Sequence, residues 1–417
     1  MPLLFTKKKE GTERVIYPTG HGRFMFDLYV VTDESLSKGR SNMEIARLAY
    51  EGGADVVQLR MKNASKEDML RDALQIKKIA DEMNKFFIVL VALALVACDS
   101  DLDALIFQQF QKFMKKYKKK YSSVNEFLAR YEVFRKNVMS TFKEENSSYQ
   151  TGITKFSDLT KQEFAKIYLN LNYDAMAVAN FDPYIVKVSN AAPSSYDWRN
   201  YNRVSPVKDQ GSCGSCWAFA TVANLEGLYA AKKGTIKTFS EQMLVDCDTS
   251  DSGCNGGLME YSFTWLKKNG GIMYESDYAY RGTKSTCKSD KTKYADFKVT
   301  GYKKLGSSWS TWSPVDEDEI KEFLYETGPL AIALNADPLQ TYTSGVLDLT
   351  STKCPQSGIN HAVTLVGYGT DSATGLDYWL IKNSWGKSWG ESGYFRIRRG
   401  NGTCGVNCYI TTATVSF

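Results

Sequence analysis

Eight of the nine cysteines in this 417-residue chain fall after residue 200, and that crowding constrains the possible folds more than any other feature. Two of them stand in Gln210-Gly211-Ser212-Cys213-Gly214-Ser215-Cys216-Trp217-Ala218-Phe219-Ala220. This stretch reads as a turn running into a buried helix, because Ala218, Phe219 and Ala220 suit an apolar helix interior. A cysteine in the first turn of a helix lies beside about half a positive charge, which favours the thiolate, the form that attacks carbonyls. Cys216 is therefore a candidate nucleophile, and the competing assignment is a structural disulfide cysteine. Setting Cys216 aside leaves seven cysteines in this half, an odd number. Six of them would allow fifteen connectivities, among which sequence alone does not choose. Such cysteine usage points to an oxidising compartment.

A thiolate nucleophile needs a base, and the chain has two histidines, His21 and His361. His21 lies in a polar stretch where no regular structure is expected. His361 lies in Gly358-Ile359-Asn360-His361-Ala362-Val363-Thr364-Leu365-Val366-Gly367-Tyr368-Gly369, an apolar strand-like run punctuated by glycines. A lone histidine there is either a packed core residue or a base, and its place 145 residues after Cys216 favours the base. Further on, Trp379-Leu380-Ile381-Lys382-Asn383-Ser384-Trp385-Gly386 supplies Asn383, whose amide oxygen can accept the imidazole N–H and fix its tautomer. Trp385, two residues later, is placed to shield that hydrogen bond from water.

With these three motifs in this order, residues 99–417 resemble a papain-family cysteine protease precursor, closest in organisation to the cathepsin L-like group. The resemblance implies an α+β, two-lobed protease: a helical lobe over about 192–300 plus the chain end, and a β-barrel-like lobe over about 301–400. The spacing from Cys216 to His361 falls within the roughly 130–150 residues typical of this family. Asn383 stands 167 residues on, and the loop Gly306–Pro314 reads as an insertion that stretches the distance. Cys216, His361, Asn383 and Gln210 are then the catalytic residues. Gln210, with the backbone N–H of Cys216, would form the oxyanion hole, the resting pair would be thiolate and imidazolium, and His361 would protonate the leaving amine before water releases the acyl-enzyme. The same resemblance implies disulfides Cys213–Cys254, Cys247–Cys287 and Cys354–Cys404, leaving Cys408 over, either as a free thiol, the favoured reading, or as a competitor for Cys354. It places Gly214, Gly256, Gly257, Asn360 and Trp385 against the substrate, and lines the S2 pocket with Leu258, Met259, Ala333 and Ala362 over a floor of Tyr409. That apolar, acid-free pocket is expected to disfavour arginine at P2 and, shortened by Tyr409, to prefer Leu or Val over Phe. With only two histidines, the chain lacks the histidine pair that cathepsin B-like enzymes use to hold a substrate carboxylate, so an endopeptidase is expected.

Upstream, Gln108 to Glu145 reads as one charged helical run. Glu126, Arg130, Phe134 and Asn137, spaced 4-4-3, share a helix face with a possible Glu126–Arg130 ion pair. They match the helical signature of cathepsin L-like inhibitory propeptides, with Thr141 and Glu145 departing from it. Gly152, Phe156 and Asp158 match a second propeptide motif, with Thr154 departing. Residues 99–191 are thus the expected propeptide, and the mature enzyme is expected to begin near Ala192-Pro193, just before Asp197-Trp198-Arg199. The run Lys112–Lys120 reads as a solvated face, since a net charge of +5 is modest and points away from nucleic-acid binding.

Ahead of it, Met83-Asn84-Lys85 and the apolar run Phe86–Cys98 read as a signal peptide over 83–98, too short to span a bilayer. Leu95-Val96-Ala97-Cys98 also resembles a lipoprotein acylation site. An internal start at Met83 separates residues 1–82, where a βαβα pattern appears: a strand over Phe26–Val31, a helix capped at Ser41, Gly52-Gly53, a strand over Ala54–Met61, and a helix from Ser65 to about Asn84. Residues 25–88 resemble the start of thiamine-phosphate synthase, a TIM barrel, with Gln58, Arg60 and Lys62 matching residues that meet the pyrimidine pyrophosphate. About eight strand–helix units close such a barrel, so this truncated fragment is expected to be inactive, the product of a fusion or a gene-model artefact. A composition of 43% hydrophobic and 24% charged residues is that of a globular protein. The expected whole is a monomeric zymogen without cofactor or metal, inhibited by its own propeptide and acting on protein and peptide substrates. It would be routed through the secretory pathway to a lysosome-like vacuole or outside the cell, with sequons at Asn146 and Asn401. A bifunctional thiamine-linked enzyme and an inactive protease fold used for binding are the alternatives.

Overall fold

The apolar run that follows Cys216 forms the helix Cys216–Lys233, buried on nearly every side from Cys216 to Ala230. It ends where Gly234 takes a left-handed φ of 71° behind Lys232 and Lys233, cations that complement the helix C-terminus. Gly227 lets it approach Pro329, since a Cβ there would lie 2.9 Å from the proline ring. The computed structural model describes residues 5–9, 12–16, 29–33, 39–53, 56–60, 71–72, 75–76, 78–79, 101–142, 148–171, 183–184, 191–305 and 314–417. Residues 1–119 and 120–417 form separate units.

In the second unit, helices Glu241–Cys247 and Met259–Asn269 pack with Cys216–Lys233 around one apolar core that includes Trp217, Met243, Phe263 and Phe297. A second core of Trp379, Trp385, Trp389, Phe395 and Ile397 lies along a mixed sheet. At the centre of that sheet runs His361–Thr370, buried throughout except at its last residue, and antiparallel to Leu330–Leu334 on one side and Asp377–Lys382 on the other. A continuous apolar run without alternation suits such a central position. The chain end, Ile410–Ser416, joins the same sheet between Leu330–Leu334 and Lys298–Leu305, while Tyr409 and Ala413 reach into the helical core. The disulfides are Cys213–Cys254, Cys247–Cys287 and Cys354–Cys404, and Cys408 is a buried free thiol. Asn401 is exposed. Residues 306–313 of the expected insertion, together with Asn146 and Glu145, lie outside the described residues.

The single helical run expected over 108–145 is two helices, Asp101–Tyr117 and Val124–Thr141. Lys118 adopts φ 53°, which ends the first, and Ser123 caps the second through Glu126 N. The expected Glu126–Arg130 pair is also corrected. Glu126 accepts from Ser122 N and Oγ at 2.6 Å each, while Arg130 pairs with Glu163 at 2.8 Å and donates to the Asp158 carbonyl. Asn137 donates to the carbonyls of Ser157 and Leu159. Glu163 also closes a capping box with Thr160 on the helix Lys161–Tyr168. This propeptide segment adds an edge strand, Tyr149–Thr151, against Tyr342–Leu347. Thr154 departs from the family motif but donates to the Gln340 carbonyl at 2.6 Å.

In the first unit, strands Tyr29–Asp33 and Val56–Arg60 run parallel, joined through the helix Asn42–Glu51 with Ser41 as its cap and Gly52 at its end. Ala46, Tyr50, Val57, Ile76 and Ile79 form its core. An antiparallel hairpin, Phe5–Lys9 with Thr12–Ile16, extends this sheet and was not expected from the sequence. His21, Lys62 and the 83–98 segment lie outside the described residues. Among those described, no helix is long and apolar enough to cross a membrane.

Candidate active site

Thr364 sits opposite Lys382 in the central strand pair. Followed past the strand ends, that antiparallel register brings the start of His361–Thr370 alongside Asn383 and Trp385. His361 Nε2 lies 2.9 Å from Asn383 Oδ1, and the Trp385 ring stacks on the imidazole with centroids 4.7 Å apart. His361, Asn383 and Trp385 are all buried. Since the amide oxygen can only accept, Nε2 carries the proton and Nδ1 is left unprotonated in the neutral ring. Nδ1 is buried and has no hydrogen-bond partner among the described residues.

Cys216 heads its helix with no exposed surface. The Ala362 amide, next to His361, is near enough to favour its thiolate, so the sulfur lies at the start of the histidine strand. Gln210 is fixed from several sides. Its N–H donates to the Ser384 carbonyl at 2.8 Å, its Oε1 accepts from Ser384 Oγ at 2.7 Å, and its Nε2 donates to the Cys213 carbonyl at 3.0 Å. Ser384 N also donates to Asn383 Oδ1, so one residue links the imidazole's partner to the Gln210 amide.

The segment Tyr168–Leu171, at and just beyond the end of the helix Lys161–Tyr168, crosses this arrangement. The Tyr168 carbonyl accepts from Gln210 Nε2 at 3.4 Å, and Leu171 N donates to the Asn360 carbonyl at 3.1 Å. Leu171 also bridges to Gly257 in parallel. Asn170 fills the space that the missing side chains of Gly214 and Gly256 leave open, for a Cβ at either would collide with it. Leu171 belongs to the buried cluster of Leu258, Met259, Ala333, Ala362 and Tyr409. Phe156, Phe164 and Tyr168 surround Trp385 with ring centroids 5.0, 5.4 and 6.4 Å away, and Lys155 pairs with Asp209 at 2.9 Å.

The cover sets the electrostatics. Burial pushes the Cys216 thiol up from 9.0 to about 11, against the opposing pull of the backbone at Ala362, Trp217, Cys216 and Asn170. Burial likewise pushes His361 down from 6.5 to about 4, opposed by the Asn383 side chain and the Tyr168 backbone. In this covered state both groups are neutral at pH 7, unlike the ion pair that the resemblance implies for the open enzyme. Desolvation penalises each charged form, and here it outweighs the local dipoles. Sequence reasoning missed Tyr168, Asn170 and Leu171, which act largely through backbone groups. It also passed over Ser384, which the motif around Asn383 contained, and Tyr280, whose hydroxyl donates to the Gln210 carbonyl.

Comparison with known proteins agrees with this geometry. Family models match residues 192–414 (papain family cysteine protease), 110–164 (cathepsin propeptide inhibitor domain) and 28–101 (thiamine monophosphate synthase). The chain is 40% identical over 325 residues to cysteine proteinase 15A of Pisum sativum, covering 74% of this chain and 86% of that one. Among solved structures, the digestive procathepsin L2 proteinase of Tenebrio molitor larval midgut superposes with a TM-score of 0.67 at 34% identity, covering 74% of this chain and 99% of that one. A recombinant stem bromelain precursor gives 0.65 at 32% identity over 74% and 99%. The chain belongs to the papain family of cysteine proteases and is a cysteine endopeptidase made as a zymogen with its own inhibitory propeptide.

Proposed function

We propose that Cys216, as thiolate, attacks the scissile carbonyl while the Cys216 N–H and Gln210 Nε2 hold the developing oxyanion. His361 gives its Nδ1 proton to the leaving amine, and water then releases the acyl-enzyme. The observation that carries this reading is the imidazole itself. Asn383 holds Nε2 at 2.9 Å and leaves Nδ1 buried without a hydrogen bond among the described residues, for exchange with the sulfur once the Tyr168 backbone that acts on the ring is withdrawn. Labelling of the processed enzyme by the epoxide inhibitor E-64 tests it. Cys216→Ala is expected to abolish labelling, peptide hydrolysis and self-processing together, and persistence of any of the three refutes the assignment. Labelling at Cys216 also decides against an inactive binding fold.

The substrate reading follows the covering segment. Leu171 shares its buried cluster with the proposed S2 residues Leu258, Met259, Ala333, Ala362 and Tyr409, which supports an apolar P2 residue, with Leu or Val ahead of Phe and arginine disfavoured. Equal cleavage of peptides with Phe and Leu at P2 would remove that preference. We place the propeptide at 99–191, the mature start near Ala192, and the signal peptide at 83–98, with delivery through the secretory pathway to a lysosome-like vacuole or outside the cell. Residues 1–82 are assigned no part in proteolysis. N-terminal sequencing of protein from its native host checks both boundaries, and thiamine phosphate formation by the purified chain would restore the bifunctional alternative.

A further inference from the structure

A serine that precedes the first residue of a helix ordinarily turns its hydroxyl onto the free N–H groups of the first turn. Ser215 stands in that place before Cys216 and makes no such bond. Its Oγ lies 2.7 Å from the Tyr280 hydroxyl and 3.4 Å from the Cys213 carbonyl. The Tyr280 hydroxyl has one proton, and it goes to the Gln210 carbonyl at 2.8 Å. Ser215 must therefore be the donor in the contact with Tyr280, which turns its oxygen away from the helix. Tyr280 is itself well held. Its ring meets Phe219 edge-on with centroids 4.8 Å apart, its N–H donates to Glu275 at 2.9 Å, and the next residue's N–H donates to Gln242 at 2.7 Å. Burial raises the Tyr280 hydroxyl above its ordinary value, so it remains a donor over the working pH range.

We propose that Tyr280 is a positioning residue for the reaction: it diverts the Ser215 hydroxyl from the N-terminus of the Cys216 helix, leaving the first-turn N–H groups to the thiolate, and fixes the main chain of Gln210. The inference rests on the reading of Cys216 as nucleophile and Gln210 as oxyanion donor. By donating to Gln210 and accepting from Ser215, one hydroxyl ties residues 210 and 215, the two ends of the loop that delivers the nucleophile. Charges on Glu241, Asp209 and Cys216 act on the Tyr280 hydroxyl, and His361 stands on the strand whose Ala362 amide reaches the sulfur.

Without the Tyr280 hydroxyl, Ser215 is free to rotate and compete with the sulfur for the helix N–H groups. Tyr280→Phe keeps the ring and its contact with Phe219, so it tests the hydroxyl alone. In the processed enzyme, the rate of Cys216 alkylation by iodoacetamide is expected to fall about three- to tenfold on the acid limb of its pH profile. The limb should move to higher pH, and kcat should fall while KM stays nearly constant. Adding Ser215→Ala removes the competing hydroxyl and should return the acid limb towards the wild-type position. A wild-type pH profile for Tyr280→Phe overturns the proposal. So does a shifted profile that the second substitution leaves in place, because the hydroxyl would then act through general stability. If Cys216 of the wild-type enzyme is itself unreactive, the nucleophile assignment falls first. If it reacts and Tyr280→Phe matches it, only the role of Tyr280 is lost.

Discussion

Uncovering the site should move a proton from sulfur to nitrogen without changing the number of protons bound. In the covered precursor, with the thiol at about 11 and the imidazole at about 4, transfer from Cys216 to His361 is disfavoured by roughly 10⁷, or about 9–10 kcal/mol. The ordinary values of 9.0 and 6.5 would give only about 3.4 kcal/mol. Burial therefore accounts for roughly 6 kcal/mol. The attraction between two charges in contact, about 4 kcal/mol at an effective dielectric constant of about 20, leaves the neutral pair ahead. Because the transfer is internal, an ionised pair in the open enzyme binds as many protons as the neutral pair in the closed one. The pair thus adds no pH dependence to release of the propeptide wherever both states hold one proton between sulfur and nitrogen, a window that the closed form's values of about 4 and about 11 bound only from outside. Nitrogen-15 NMR of labelled histidine measures this directly, because the chain has only His21 and His361 and the proposed processing near Ala192 would remove the first. At pH 6 the intact precursor, its integrity followed by gel electrophoresis, should show His361 as a neutral ring with the proton on Nε2. The processed enzyme should show both ring nitrogens protonated. An imidazolium in the intact precursor, or a neutral ring in the processed enzyme, would refute the reasoning.

Three further outcomes are expected. Tyr409→Ala should deepen the S2 pocket and raise the Phe-to-Leu ratio of kcat/KM at P2 by about tenfold or more; an unchanged ratio would take Tyr409 out of the pocket. Glu163 is held below its ordinary 4.5, first by its hydrogen bond from Arg130, so the stability it contributes is present above that value and is lost as pH falls through the lowered one. Glu163→Gln should therefore let the precursor process at higher pH than wild type, and an identical pH midpoint would count against the Arg130–Glu163 anchor. The Ala192 N–H donates to the buried Glu322 carboxylate at 3.1 and 3.3 Å. Cleavage just before Ala192 would turn that amide into an ammonium paired with a buried acid. Glu322→Gln should then lower the Tm of the processed enzyme by roughly 5–10 °C and that of the precursor by less, whereas equal shifts would place the new terminus elsewhere.

The features legible in the sequence are those whose chemistry is written into neighbouring residues. Ala218, Phe219 and Ala220 announce a buried helix behind Cys216, and the unbroken apolar run after His361 announces a central strand. Once that strand pairs with Asp377–Lys382, the histidine and the asparagine meet at its end. Partner choice over long separations was not legible. An arginine four residues from a glutamate looks paired along one helix face, yet Arg130 reaches Glu163, which offers two oxygens at 2.9 and 2.8 Å and is already fixed by Thr160. Nor does sequence mark Lys118 as left-handed, since no glycine stands there to signal it.

The covering segment was hidden for a different reason. The Tyr168 carbonyl, the Leu171 N–H and the backbone of Asn170 make its contacts with Gln210, Asn360 and the sulfur, and main-chain groups are the same in every residue. What the segment needs from its sequence is a helix that stops at Tyr168 and a leucine that seats in an apolar cluster. The surrounding protease supplies the rest through glycines at 214, 256 and 257, which leave the main chain open to whatever backbone lies in the groove. On the substrate reading proposed above, a site built this way would hold its inhibitor and its substrate by the same groups. The cover can then be strong without a dedicated inhibitory side chain, and its removal exposes a groove that already fits a peptide.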